Sequence, residues 1–210
     1  MKFIVFFSFA YTWIVLNSLF CYIYLRDEKM SKVDLMEWLL WYFGTCFTGY
    51  PAEMVVNFYG KSKSKYTLVN VIKKIMSDYY APLPRTILQN EQNSLAETIQ
   101  MPSGIRFASI DLGSENVILK SSELLNIMKT SIKPLIISEK KIPLTNIDTN
   151  GQLTFCFVPF SEKNDKVNFS EDELLQEGPG ILSIFVQYSQ KYIQNGCKLP
   201  HCAEIEIVKV

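Results

Sequence analysis

The residues able to act as metal ligands or nucleophiles are few in this sequence, and they gather near its C-terminal end. The only histidine, His201, sits in Cys197-Lys198-Leu199-Pro200-His201-Cys202. Cys197, His201 and Cys202 are therefore the candidate metal ligands. A structural zinc centre takes four ligands, commonly with close C-x2-C-type pairs. The spacing here is C-x4-C, and Cys156, the remaining cysteine of the body, falls in an apolar run that reads as strand. A short disulfide loop and plain free thiols compete with the metal, and the expectation is free thiols with no bound metal and no cofactor. The five cysteines cannot all pair among themselves, which leans toward a reducing compartment.

Nucleophilic catalysis needs a serine or cysteine beside a base. Neither G-x-S-x-G, H-E-x-x-H, G-x4-G-K-[ST] nor G-x-G-x-x-G occurs. Gly178-Pro179-Gly180 stands ahead of an apolar run and could aim backbone amides at an anion, but reads more simply as a turn. Glu171-Asp172-Glu173 and Glu177 bring carboxylates together with no base between them. They suit the first turn of a helix, where acidic side chains complement the dipole. Asn168-Phe169-Ser170 is a glycosylation sequon that matters only in a lumenal or extracellular body. No catalytic residue is assigned, and the expectation leans away from an enzyme.

The charge balance points the same way. With 21 basic and 21 acidic residues the formal charge is zero, which argues against nucleic acid as a partner. Only Arg26, Arg85 and Arg106 are arginines, so few bidentate anion clamps are available.

What remains is attachment. Residues Phe3 to Leu25 are uncharged and bounded by Lys2 and Arg26. As a helix they would span roughly 35 Å, enough to cross a hydrocarbon core of about 30 Å. The anchor is read from Phe3, Trp13 and Leu25. The apolar run continues too far for a cleaved signal peptide, and no A-x-A site follows. A second aromatic stretch lies between Glu37 and Glu53. Read as a helix from Val33 to Gly49, it places Asp34, Glu37, Gly44, Thr45 and Thr48 along one side. The other faces carry aromatic and aliphatic side chains, with Trp38 and Trp41 as candidate membrane anchors. A core helix of the body is the competing reading. Lys61, Lys63 and Lys65 then form a basic loop, suited to anionic headgroups or simply to solvent.

The body reads as mixed α and β. Leu68, Val69, Ile72, Ile75, Met76 and Tyr79 recur at helical spacing, ending before Pro82 and Pro84. Strand signals follow at Ile105–Asp111, Asn116–Lys120 and Leu135–Ser138, with a helix at Ser121–Thr130 capped by Ser121. Asn150-Gly151 ahead of LTFCFVPF predicts a β-hairpin. Ile181 to Gln194 predicts a helix stopped by Gly196, and Ala203–Val210 alternates as a final strand.

The expected class is α+β: an N-terminal transmembrane helix and an amphipathic aromatic helix followed by a small mixed α/β-strand soluble domain. The expected divisions are residues 1–26 as transmembrane anchor, 27–60 as an amphipathic or second membrane-associated helix, 61–100 as helical connector and 101–210 as the soluble α+β body. The expected partners are the lipid bilayer and other membrane-complex subunits or a second copy. The expected function is that of a non-catalytic, membrane-anchored, single-pass subunit or adaptor. Two alternatives stand beside it: a two-membrane-element effector with a β-rich ligand-sensing domain, and a membrane-bound hydrolase or transferase using His201.

Overall fold

A computed structural model describes residues 32–51, 54–83, 85–88, 101–144, 151–161 and 171–210. The elements run α1 (Lys32–Thr45), β1 (Val55–Tyr59), α2 (Ser64–Met76), β2 (Tyr80–Pro82), β3 (Phe107–Asp111), α3 (Ser121–Met128), β4 (Lys133–Ser138), β5 (Thr154–Pro159), α4 (Glu171–Gln176), α5 (Gly178–Gln194) and β6 (Glu206–Lys209). Short 3-10 turns lie at Ser77–Tyr79 and Arg85–Ile87. These elements form two compact units that are discontinuous in sequence: a helical unit with α1, α2, α4 and α5, and a sheet unit with all six strands and α3.

In the sheet unit the strand order is β2-β3-β4-β1-β5-β6. The pairings β2–β3, β3–β4, β4–β1 and β1–β5 are parallel, and β5–β6 is antiparallel. One face of the strands gives Val55, Ala108, Ile110, Ile136, Phe155 and Phe157 to a core completed by Ile87, Leu119 and the α3 residues Leu124 and Ile127. The alternate residues Val56, Phe58, Leu135, Ile137, Cys156 and Val158 are buried as well. Burial of both faces is the rule for parallel strands, and it is why these segments read as apolar runs with little alternation.

The hairpin expected after Asn150-Gly151 does not form. LTFCFVPF does become a strand, but β5 lies between β1 and β6, and β4 is not its neighbour. Residues 145–150 of the expected turn lie outside the described residues, and Ile142–Leu144 is not a strand. The physical reason is burial: a run of Phe155, Cys156, Phe157 and Val158, fully enclosed, satisfies a central position better than a hairpin with one wet face. The strand expected at Asn116–Lys120 is reduced to a single bridge between Leu88 and Leu119. Helix α3 starts as expected at Ser121, but its cap position is Lys120, with no side-chain cap bond.

A buried polar cluster interrupts the apolar centre of the sheet. Asn57, in the middle of β1, donates from Nδ2 to the Ile136 carbonyl at 3.1 Å and to Ser138 Oγ at 2.9 Å. Its Oδ1 accepts the Ile142 N–H at 3.3 Å, and Ser138 Oγ donates to the Lys140 carbonyl at 2.6 Å. The amide therefore binds the chain that leaves β4 back onto β1. Removing it strands the Ile142 N–H in the interior. Asn57→Leu is expected to cost about 2 kcal/mol, measured as a shift in the denaturant midpoint at constant m-value.

The helical unit is built around α1 and α5, which pack along each other, with α2 packed on α4. Leu35, Trp38, Leu39, Leu40, Tyr42 and Phe43 of α1 are buried, and so are Gly44 and Thr45, which sequence placed on its polar side. A helix buried nearly all round belongs to an interior. Gly44 explains the close approach: a Cβ there would stand 2.9 Å from the Ser189 nitrogen and the Tyr188 carbonyl carbon of α5. Thr45 returns its hydroxyl to the Tyr42 carbonyl at 2.6 Å. Around this contact Phe43 tilts against Phe185 at 5.7 Å, and Trp41 meets Tyr188 edge-on at 6.0 Å.

Tyr188 carries a pH signature of that packing. Burial first, and the nearby Glu37 carboxylate second, push its phenol up from 10.0 to about 12. The Lys191 ammonium over its ring, 4.1 Å from the centroid, leaves the phenol with a raised pKa overall. A folded pKa above the unfolded one means the stabilisation is present below pH 10 and is lost as pH rises toward 12. The loss is of order 2 kcal/mol. A Tyr188→Phe variant is expected to flatten the fall in stability between those pH values, read by chemical denaturation at a series of alkaline pH.

Candidate phosphate-binding loop

The carboxyl ends of parallel strands are where open α/β sheets bind ligands, at the point where connections leave neighbouring strands in opposite directions. Here that point is β1/β5. From β1 the chain runs through α2 to β2, three places away on one side; from β5 it runs through α4 and α5 to β6 on the other. The segment that leaves β1 is Gly60-Lys61-Ser62-Lys63-Ser64-Lys65.

Each part of this segment has a local cause. Gly60 has φ of 121°, a backbone region closed to side chains with a Cβ. Its N–H donates to the Ser138 carbonyl at 3.2 Å, fixing the strand end within the sheet unit. Ser62 is buried, and its hydroxyl accepts the Ser64 N–H at 3.2 Å while sharing a hydrogen bond with Ser64 Oγ. The N–H groups of Tyr66 and Thr67 donate to the Lys63 carbonyl at 3.0 and 3.3 Å, closing the first turn of α2. Leu68, Val69, Ile72 and Met76 then bury one face of the helix. Its first turn holds no acidic residue, and Lys73 and Lys74 stand in the last turn, where they complement the dipole.

Electrostatically the start of α2 is positive. Backbone N–H groups and the helix dipole point out of it, and Lys63, exposed to solvent, directly precedes it. Lys65 differs: its side chain is fully buried, with Nζ 4.8 Å from the centroid of the Tyr66 ring.

The strand–Gly–loop–helix order is that of phosphate loops, whose pattern is G-x4-G-K-[ST]. The match is incomplete in every register: Gly60-Lys61-Ser62 is itself G-K-S, but Val55, inside β1, stands where the first glycine belongs. Counting from Gly60, Lys65 stands where the second glycine belongs and Tyr66 where the lysine belongs, with Thr67 in the hydroxyl position. Counting from the helix start, Lys65 is the lysine, but Ser64 replaces the glycine and Tyr66 the metal-binding hydroxyl. Asp111 ends β3 in the sheet unit. Its Oδ1 accepts the Gly113 N–H at 2.9 Å.

No family model matches the chain, and no curated protein matches it. Among solved structures it is similar to "The A form apo structure of NrS-1 C terminal region-CTR(305-718)", with a TM-score of 0.51 and 12% sequence identity. The likeness covers 81% of this chain and 44% of that one. It is one of fold alone, and this chain spans less than half of the structure it matches.

The residues singled out from sequence are placed elsewhere. His201 is exposed, Cys202 is buried and Cys197 is half-buried with a left-handed φ of 60°. Among the described residues no disulfide joins Cys46, Cys156, Cys197 and Cys202. Among the described residues no group of three His, Cys, Asp or Glu side chains is placed to hold a metal ion. Trp38 is buried and stacked on Tyr42 at 5.6 Å, and its indole N–H has no hydrogen-bond partner among the described residues. Trp41 is half-buried against Tyr188. Phe3, Trp13 and Leu25 lie outside the described residues, among which no helix is long and apolar enough to cross a membrane. Gly178-Pro179-Gly180 opens α5, with proline in the first turn where its missing N–H costs nothing.

Of the acidic cluster, Glu171 pairs with Lys74 at 2.8 Å and accepts from Asn70 at 3.4 Å, linking α4 to α2. The Lys74 hydrogen bond holds the Glu171 carboxyl below its ordinary range, and the same bond raises Lys74. This pair sits in solvent, where such bridges contribute little.

The loop 60–65 was legible in sequence only as a lysine cluster. What sequence missed is β1 (Val55–Tyr59), which falls inside the expected division 27–60 and carries no strand expectation there. A short buried run ended by glycine and followed by a helical period was the signal that could have found it.

Proposed function

We propose that this chain is a non-catalytic subunit or adaptor of a membrane assembly. On this reading it is held to the bilayer through residues 3–25, and its loop 60–65 recognises a phosphate group without hydrolysing it. The observation that carries the reading is the make-up of that loop on this frame. In favour of phosphate recognition are the position after β1, the positive-φ Gly60, the serine hydroxyls and the lysines at the start of α2. Against hydrolysis stand Lys65 and Tyr66. A phosphate chain bridged to magnesium needs a glycine for close backbone approach and a small hydroxyl for the metal; neither register that puts the lysine in α2 supplies both, and Gly60-Lys61-Ser62, which does, has Val55 in place of the first glycine. The ligand-sensing alternative converges on the same loop.

The membrane part rests on the uncharged run Phe3–Leu25 and its charged flanks Lys2 and Arg26. Sizing after mild-detergent solubilisation at native expression tests it. A stable complex with fixed partner proteins is the expected outcome; a lone 24.2 kDa chain or a homo-oligomer removes the subunit reading. Equilibrium binding of inorganic triphosphate and of ATP, with and without magnesium, tests the loop. Weak binding independent of magnesium, with no phosphate release, is expected. Magnesium-dependent turnover would overturn the non-catalytic reading, and no binding at millimolar triphosphate would remove the phosphate site.

A further inference from the structure

We draw no further inference here: the strongest candidate, the exposed Lys61 and Lys63 beside the N-terminus of α2, belongs to the loop already described, and no bound group or unpartnered buried side chain there points to a particular ligand.

Discussion

Gly44→Leu is expected to abolish folding of the helical unit, and Gly44→Ala to weaken it by about 2–3 kcal/mol. The reason is the identity of the atoms a new Cβ would meet. At 2.9 Å stand the backbone nitrogen of Ser189 and the backbone carbonyl carbon of Tyr188, neither of which can swing aside as a side-chain tip would. Helices α1 and α5 would have to separate, loosening the contacts of Phe43 and Phe47 with Phe185 and of Trp41 with Tyr188. Alanine's better helix propensity returns about 1 kcal/mol, so the steric term itself is larger than the net loss. Gly49, with nothing within 4 Å of a Cβ, is the control. Gly49→Ala should leave the unfolding midpoint unchanged, and an equal loss at both positions would show that helix contact is not the cause.

Lys65→Gly combined with Tyr66→Lys is expected to raise affinity for magnesium-ATP by about 10- to 100-fold over the native chain. That corresponds to the roughly 1.5–3 kcal/mol of one charge-assisted hydrogen bond to phosphate. The pair of changes converts residues 60–67 into a complete G-x4-G-K-T, using Gly60 and Thr67 as they stand. Glycine opens the close approach of the backbone, and the new lysine takes the place from which the phosphates are reached. Tyr66→Lys alone keeps Lys65 at the glycine position and should gain less. Calorimetric titration of the three proteins reads the difference. If the double variant binds no better than the native chain while remaining folded, the frame is not a phosphate-binding one and the loop assignment fails.

Local periodicity was a good guide where each element's residues decide its own conformation. The spacing of Leu68, Val69, Ile72 and Met76 predicted a helix, found as Ser64–Met76, and Ile181–Gln194 was extended only by the Gly178-Pro179-Gly180 turn that starts it. Strands β3 and β6 lie inside the segments where strand signals were read, and β4 covers Leu135–Ser138 but starts two residues earlier, at Lys133. The failures came where pairing decides. Asn150-Gly151 signals a tight turn, yet β5 takes β1 and β6 as its neighbours. Val55–Tyr59, a central strand, shows little alternation because residues on both of its faces are buried, and beside WLLWYF it resembles membrane-seeking sequence. The aromatic helix presented the same ambiguity: a hydrophobic surface is compatible with lipid, with a partner or with α5, and composition alone cannot choose.

By itself the sequence determined the absence of the standard catalytic motifs, the neutral charge balance, the uncharged run at Phe3–Leu25 and the positions of most helices. These are properties of residue type and short-range spacing. Only the tertiary structure decided that β1 lies between β4 and β5, that Gly44 meets the α5 backbone, and that the lysine loop follows a strand at a point where connections diverge. Parallel pairing joins segments as far apart as Val56 and Cys156. Such partners are selected by the fit of whole buried faces, and no window of neighbouring residues contains that information.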